Sequence, residues 1–380
     1  MVFGLLPGCG GEGAEGPALT IRGDDPSNLP LASLTEDERA RFDRGDPVFA
    51  RVFRESQGLG PLYIRASCAS CHASDGRGPG AVERVIAVEA DGFTPRDDQS
   101  AMPWGPVLRP FYVSPATRGV EAPEALEGAL RSRRVGPAVF GRGWMEAVDP
   151  AELTRLAFEQ ARGGELRGRV PWLADGSLGR FGLKSRVATL EGFAADALRG
   201  DMGITSPALP DEVPNPDGLR DDARPGVDVG AELVRDLGGY LQGLAIPARR
   251  ALNPLGRSVF ERIGCAGCHA PSLATRADAP VRAMRGARAE VYSDLLLHDM
   301  GAALADGAVE GAAGPRDWRT APLIGLRFFR AYLHDGRART LDDATRMHRG
   351  EGSEANASVD RYAALTAPER EALVEFLRAL

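Results

Sequence analysis

Two short stretches of this chain combine cysteine and histidine at the same spacing. They are Cys68-Ala69-Ser70-Cys71-His72 and Cys265-Ala266-Gly267-Cys268-His269. In such a stretch the two thiols can bond to the two vinyl groups of one haem, and the following imidazole can bind the iron. The spacing therefore predicts two covalently bound haem c groups, with His72 and His269 as iron ligands. Zinc is the alternative, because Cys-x-x-Cys pairs also bind zinc, but zinc does not require a histidine directly after both pairs.

The composition excludes several classes of protein. The chain has 380 residues, of which 43% are hydrophobic, as is typical of a globular protein long enough for two domains. Its formal net charge of -7 argues against a nucleic-acid partner, and no basic run suggests binding to an anionic membrane surface. No stretch approaches the ~20 apolar residues of a membrane span. Four of the five cysteines lie in the two motifs, so we expect no disulfide framework.

The N-terminal region bears on localisation. Haem c attachment implies assembly outside the cytoplasm, so we expect a periplasmic or otherwise extracytoplasmic protein. Leu6-Pro7-Gly8-Cys9 is similar to the end of a bacterial lipoprotein signal, in which the cysteine becomes lipidated. The proline and the lack of a basic segment depart from that pattern. A lipid anchor at Cys9 and an unmodified tail are therefore equally consistent with the sequence.

Helical signals surround both motifs. Capping boxes at Thr35–Glu38 and Thr366–Glu369 predict two helix starts, and apolar residues recur at helical spacing over 233–244. We therefore expect an all-α fold, mainly helical with long loops, in which two tandem cytochrome c-like domains each wrap one haem. The predicted divisions are a tail and linker over residues 1–35, a first domain with insertions over 36–247, and a second domain over 248–380.

The second half of the chain repeats the plan of the first half. The matched stretches are Gly45-x-x-Val48-Phe49 with Gly256-x-x-Val259-Phe260, Arg134-x-x-Pro137 with Arg319-x-x-Pro322, and Arg186-x-x-Thr189-Leu190 with Arg337-x-x-Thr340-Leu341. An apolar closing helix ends each half, so four matches occur in the same order and indicate a duplication. The third match places His348 opposite Ala197. The first half therefore lacks a histidine at that position.

Several longer stretches resemble a known superfamily. The run over 322–341 looks like the second domain of bacterial di-haem cytochrome c peroxidases, to which MauG-type protein-oxidising enzymes are more distantly related. The resemblance is closer to a branch of di-haem oxidoreductases, similar to thiol oxidoreductases, through the stretches 179–184, 201–205 and 292–301. It covers most of residues 36–380.

The resemblance implies a second axial ligand for one haem. In the peroxidases, a methionine fourteen positions after the histidine of His-Asp-Gly binds the second iron. In this chain that histidine is His334, and the position fourteen residues later is His348. The resemblance therefore implies that His348 binds the second iron, which lowers the potential of this haem relative to histidine–methionine ligation. The alternative is that His348 is a surface histidine on a helix.

The resemblance also implies a catalytic residue. In these families peroxide reacts at the first haem, where an acidic residue precedes Met-Gly. Asp201, before Met202-Gly203, takes this position, and a carboxylate over an open iron suits proton transfer between the two peroxide oxygens. The alternative is a structural aspartate at a helix end or turn. The tryptophan that the families place between the haems is missing, because Leu183-Lys184-Ser185-Arg186 occupies its position.

The leading functional hypothesis is a di-haem oxidoreductase that reduces hydrogen peroxide at the first haem. Electrons would come from a small redox donor, such as a cytochrome or a cupredoxin-like protein, and pass through the second haem. Two other functions stay open: a non-catalytic di-haem electron carrier, and MauG-like oxidation of an organic or protein substrate. A calcium ion between the domains is a feature of the peroxidases, but the sequence assigns no ligands to it and does not set the oligomeric state.

Overall fold

A computed structural model describes residues 26–78, 80, 82–92, 94–96, 102, 105–114, 116–120, 128–215, 218–219 and 226–380. Most of the predicted tail, including the candidate lipid-anchor residue Cys9, lies outside these ranges. Within them, no helix combines the length and the apolar character needed to cross a bilayer.

The described chain forms ten α-helices. They are α1 (Glu36–Ala50), α2 (Cys68–Cys71), α3 (Arg142–Ala147), α4 (Pro150–Gly163), α5 (Leu190–Met202), α6 (Ala231–Gly243), α7 (Pro254–Arg262), α8 (Leu341–Arg346), α9 (Asn356–Ala363) and α10 (Ala367–Ala379). The two predicted capping boxes are present at the starts of α1 and α10.

Among the described residues, eight short strands form four antiparallel pairs. The pairs are β1 (Leu62–Tyr63) with β3 (Phe111–Tyr112), β2 (Val82–Ala87) with β4 (Ala129–Arg134), β5 (Leu273–Ala274) with β6 (Arg288–Ala289), and β7 (Leu297–Asp299) with β8 (Asp317–Arg319). The expectation of an all-α fold is therefore wrong, since only 36% of the structure is helical. Buried backbone groups need partners, and the long connections between the helices find them in these strand pairs.

Each half contains one pair of helices that cross closely. In the first half α1 packs against α6, and in the second half α7 packs against α10. A Cβ at Gly45 would lie 2.2 Å from the carbonyl oxygen of Asp236, and a Cβ at Gly256 would lie 2.0 Å from that of Ala372. Both crossings therefore require glycine. The matched glycines of the sequence repeat occupy equivalent positions in the two halves.

A second matched pair of helices begins at threonine. The hydroxyl oxygen of Thr189 accepts a hydrogen bond at the start of α5, and that of Thr340 does so at the start of α8. Ala197 and His348 each lie eight residues after their threonine. The structure therefore supports the alignment that sets Ala197 opposite His348.

The hydrophobic core does not divide cleanly between the halves. One buried cluster combines residues of α1, α5 and α6 with Leu273, Val291 and Leu296 from the second half. Another is formed by residues between Val259 and Leu380. The division into domains 36–247 and 248–380 stays a prediction.

Candidate haem sites

The first Cys-x-x-Cys-His motif forms the short helix α2, and His72 follows at its C-terminal end. Nδ1 of His72 lies 3.0 Å from the carbonyl oxygen of Gly76. If Nδ1 donates this hydrogen bond, Nε2 keeps its lone pair for a metal. The ring also lies close to Gly136, where a Cβ would be 3.1 Å from Cε1 of His72.

The second motif has an equivalent arrangement around a 3-10 turn at Cys265–Gly267. Nδ1 of His269 lies 3.2 Å from the carbonyl oxygen of Tyr292. His348 repeats the pattern, because its Nδ1 lies 2.6 Å from the carbonyl oxygen of Ala344. The three predicted iron ligands therefore share one geometry, in which Nδ1 meets a backbone carbonyl and Nε2 stays available.

A cavity of about 270 Å³ lies at the second motif. Its wall includes Cys265, Cys268, His269 and His348. His269 and His348 are close enough for His348 to contribute, after burial, to lowering the pKa of His269 to about 4. Both imidazoles are therefore expected to be neutral, which is the form that binds a metal.

The four cysteines of the two motifs do not form a shared zinc site. None of the four is in a disulfide. Among the described residues, the one group of three or more close-packed potential metal ligands is Cys268, Asp294 and His298, which contains a single cysteine. The two Cys-x-x-Cys pairs are therefore separate, as two haem sites require and a four-cysteine zinc site does not allow.

His298 has a different environment from the three candidate ligands. It is 1% exposed, and both ring nitrogens face carboxylates: Nε2 lies 2.9 Å from Asp294, and Nδ1 lies 2.7 Å from Glu354. Burial alone would lower the pKa of His298, but hydrogen bonds to Asp294, Cys268 and Glu354 raise it well above its usual value. Both ring nitrogens of His298 are therefore engaged by carboxylates, unlike Nε2 of the three candidate ligands.

His334 stacks on a tryptophan at the edge of the same cavity. The ring centroids of His334 and Trp318 are 4.0 Å apart, with an angle of 14° between the planes. Both rings line the cavity, and burial lowers the pKa of His334 to about 4. Trp318 lies directly opposite His298 in the β7–β8 pair. This pair of strands therefore supplies two cavity-lining side chains, His298 and Trp318, that sequence reasoning did not group together.

Asp201 lies beside the first motif, at the C-terminal end of α5. Its charge raises the pKa of the Cys68 and Cys71 thiols, after the larger effect of burial. Burial, together with the charge of Asp196, raises the pKa of Asp201 itself to about 6, despite three nearby arginines. Ala197 lies one helical turn before Asp201 and therefore on the same face of α5. The catalytic role of Asp201 stays a prediction.

Lys184 follows Leu183, which occupies the position at which the resemblance leads us to expect a tryptophan. Its ammonium group is fully buried and lies 2.8 Å from Asp306 Oδ1. It also lies 2.8 Å from the carbonyl oxygens of Ala308 and Gly314. Arg134 bonds to the same Asp306 carboxylate. This oxygen cage joins the turn before α5 to the loop before β8, and the sequence alone did not predict it.

The comparison with protein families identifies the group to which the chain belongs. The model for the family described as "Di-haem oxidoreductase, putative peroxidase" matches residues 125–380. The chain is therefore a member of the di-haem oxidoreductase family, as the resemblance predicted. No curated protein matches the chain significantly in sequence.

Solved structures give more distant similarities. A MauG-like protein associated with microbial copper homeostasis is 16% identical, with a TM-score of 0.42, over 94% of this chain and 92% of that one. The diheme peroxidase BthA from Burkholderia thailandensis is 18% identical, with a TM-score of 0.42, over 90% and 86%. Kuenenia stuttgartiensis hydrazine synthase is 16% identical, with a TM-score of 0.40, over 100% and 99%.

The residues around the second motif fit a haem. Paired thiols, two neutral imidazoles with available Nε2 atoms and mostly apolar walls are the groups that such a cofactor needs. Apolar contacts come from residues such as Phe260, Leu304, Leu326 and Val359. Bound there, the haem would supply one-electron redox chemistry. The chain would supply the attachment, the axial ligands and the exclusion of water.

A methionine in place of His348 should raise the potential of one haem. We expect an increase of roughly 0.1–0.2 V for His348→Met, within the ~0.8 V range that axial ligands cover, because histidine–methionine ligation raises the potential. Spectroelectrochemical titration measures it. Met347→Leu, at the exposed position next to His348, is the control and should leave both potentials unchanged. An unchanged potential in His348→Met would show that His348 is not a ligand.

Proposed function

We propose that this chain is an extracytoplasmic di-haem c-type enzyme that reduces hydrogen peroxide at the first haem. Electrons enter from a small redox donor, a cytochrome or a cupredoxin-like protein, and pass through the second haem. The overall reaction takes two electrons and two protons and converts one peroxide into two waters. The observation that carries the proposal is the contrast between Ala197 with Asp201 in the first half and His348 in the second.

This contrast supports different coordination of the two irons. In the second half, His348 lies in the same cavity as His269 and has an available Nε2. In the first half, the matched position carries the methyl group of Ala197, which cannot bind iron. A carboxyl with a pKa near 6 lies one turn further along the same face. Such a group can accept a proton from one peroxide oxygen and return it to the other.

The segment after β4 supports electron transfer between the two sites. Gly136 lies against the His72 imidazole, and the next two residues, Pro137 and Ala138, line the cavity at the second motif. Three consecutive residues therefore span the protein between the proximal ligand of one site and the wall of the other. Since the tryptophan of the resembling families is absent, this backbone segment is the direct connection that we propose.

Low-temperature electron paramagnetic resonance of the oxidised holoprotein tests the proposal. We expect one high-spin ferric signal from the first haem and one low-spin signal from the second. Peroxide should be consumed with a reduced donor, and acid–acetone should not extract either haem. The variant Cys68→Ser/Cys71→Ser should lose the high-spin signal and the turnover while keeping the low-spin signal.

Other outcomes would select another function. Two low-spin signals, both before and after addition of one electron, would mean that both irons are capped. The protein would then be an electron carrier. A high-spin signal without peroxide consumption, but with oxidation of an organic or protein substrate, would favour MauG-like chemistry.

A further inference from the structure

Three arginines from both halves of the chain line the cavity at the second motif. Arg77 lies five residues after His72, Arg142 begins α3, and Arg319 ends β8. The side chains of Arg142 and Arg319 are buried, with 7% and 6% exposure, and Arg77 is half-buried. A guanidinium group keeps its charge in proteins. Three positive charges are therefore gathered around one largely apolar space.

These three arginines have no carboxylate within ion-pair distance among the described residues. Their hydrogen bonds to oxygen go to the backbone carbonyls of Ala331 and Leu333 for Arg77, Ala138 for Arg142, and Gly182 and Thr320 for Arg319. Other arginines in the same region are paired: Arg84 bonds to Glu310 at 2.8 Å, and Arg134 bonds to Glu310 at 2.7 Å. Arg180 is another buried arginine that bonds to backbone carbonyl oxygens, but it stands alone, whereas Arg77, Arg142 and Arg319 line one cavity.

Burial disfavours the charged form of all three arginines. Burial, followed by repulsion from Arg319 and Arg77, lowers the pKa of Arg142 to about 9. Burial lowers the pKa of Arg77 and Arg319 to about 10. Buried charges without a partner are strongly unfavourable, so a structure that keeps three of them together is expected to bind an anion there.

We propose that Arg77, Arg142 and Arg319 bind the propionate carboxylates of the haem attached at Cys265 and Cys268. This inference rests on the proposed haem c binding and adds the residues that orient the cofactor. The planar guanidinium fork matches a carboxylate with two parallel hydrogen bonds. Two propionates would leave one net positive charge, which favours the ferrous state and raises the potential of this haem.

The position of Arg142 indicates which side of the cavity the propionates would occupy. Arg142 is close enough to the first motif to contribute to lowering the pKa of His72, after the larger effect of burial. It nevertheless lines the second cavity. The propionate edge of the second haem would therefore face the first motif. The three arginines are positioning residues for the cofactor, and their charge lies between the two redox centres.

The test is the reduction potential of the holoprotein with Arg142→Gln. We expect one haem couple to shift toward the ferric state by at least tenfold in the equilibrium constant, which is about 59 mV for one electron. Arg180→Gln is the matched control, because Arg180 is also buried and bonds to the backbone carbonyl oxygens of Leu178 and Val148, but does not line the cavity. It should leave both couples unchanged. Arg142→Lys, which keeps the charge, should give a smaller shift.

A free anion such as phosphate offers the same chemistry as a propionate. Under the proposal, the wild-type potentials do not depend on phosphate concentration; a clear dependence would overturn it in favour of a free anion. An unchanged couple in Arg142→Gln, or the same shift in Arg180→Gln, would also overturn it.

If Arg142→Gln loses the second haem, the haem content of Arg142→Lys and Arg180→Gln tests the proposal instead. Two haems in both Arg142→Lys and Arg180→Gln would then support the proposal. Loss of haem in both would show a general packing effect and overturn it. None of these measurements uses peroxide, so a potential shift without peroxide turnover removes the proposed reaction and keeps the arginine assignment.

Discussion

Asp201→Asn should lower kcat/KM for hydrogen peroxide by about 10²–10⁴-fold, because an amide cannot accept and return a proton. The wild-type rate should also fall as the pH decreases through about 6. The pKa of Asp201 is raised to about 6, and only the ionised carboxylate can take the first proton from peroxide. Steady-state turnover with a reduced donor, measured between pH 4.5 and 8, tests both expectations. The rate of the Asp201→Asn variant should not fall as the pH decreases through about 6.

Two other variants on α5 separate the role of Asp201 from a general loss of charge. Glu191→Gln removes an exposed carboxylate at the other end of the helix and should leave turnover unchanged. Asp196→Asn removes a negative charge that helps to raise the pKa of Asp201. The fall of the rate at acidic pH should therefore occur at a lower pH than in the wild type. Equal turnover in Asp201→Asn and the wild type would exclude Asp201 as the acid–base group.

The stability of Asp201→Asn provides a further control. The folded-state pKa of Asp201 lies above the usual value of 3.8, so the folded state disfavours the ionised form. Loss of this charge should therefore leave the protein equally stable or more stable at pH 7. A large drop in melting temperature would indicate that Asp201 is a structural aspartate.

Lys184→Met should destabilise the protein by about 3–5 kcal/mol, the range measured when one partner of a buried ion pair is removed. Lys184 is fully buried, and methionine cannot donate hydrogen bonds to Asp306 and the surrounding carbonyl oxygens. Although burial alone would raise the pKa of Asp306, Arg134 and Lys184 hold it at about 2. The carboxylate would stay charged and would lose one of its two cationic partners. Urea denaturation of the wild type and the variant measures the difference in unfolding free energy.

The matched control for Lys184→Met is an exposed ion pair. Arg39 and Asp43 lie 2.8 Å apart on α1, and each side chain is 54% exposed. Arg39→Met should therefore change the unfolding free energy by no more than about 0.5 kcal/mol. A loss below about 1 kcal/mol in Lys184→Met would contradict a structural role for the oxygen cage.

The features predicted correctly from the sequence are mainly local in the chain. The capping boxes at Thr35 and Thr366 involve residues three apart, so the chain itself determines their chemistry. The internal repeat predicted the equivalence of Gly45 with Gly256, because a helix crossing that excludes a Cβ permits few other residues. The expectation of an all-α fold was wrong because pairs such as β2 with β4 join residues 42 to 52 positions apart, which no local pattern indicates.

The residues of the candidate site also fall into those predicted from local spacing and those that depend on tertiary contacts. The spacing of the motifs by itself predicted the paired cysteines with His72 and His269 as haem sites, since attachment to one haem would constrain neighbouring residues. Only the tertiary structure decided which other histidines have an available nitrogen, because this depends on contacts such as Nδ1 of His298 with Glu354, 56 residues away. The same holds for the arginine cluster and for Lys184. Their partners, or the lack of them, depend on how distant segments pack. Whether a buried charge stabilises or destabilises the fold depends on the groups around it.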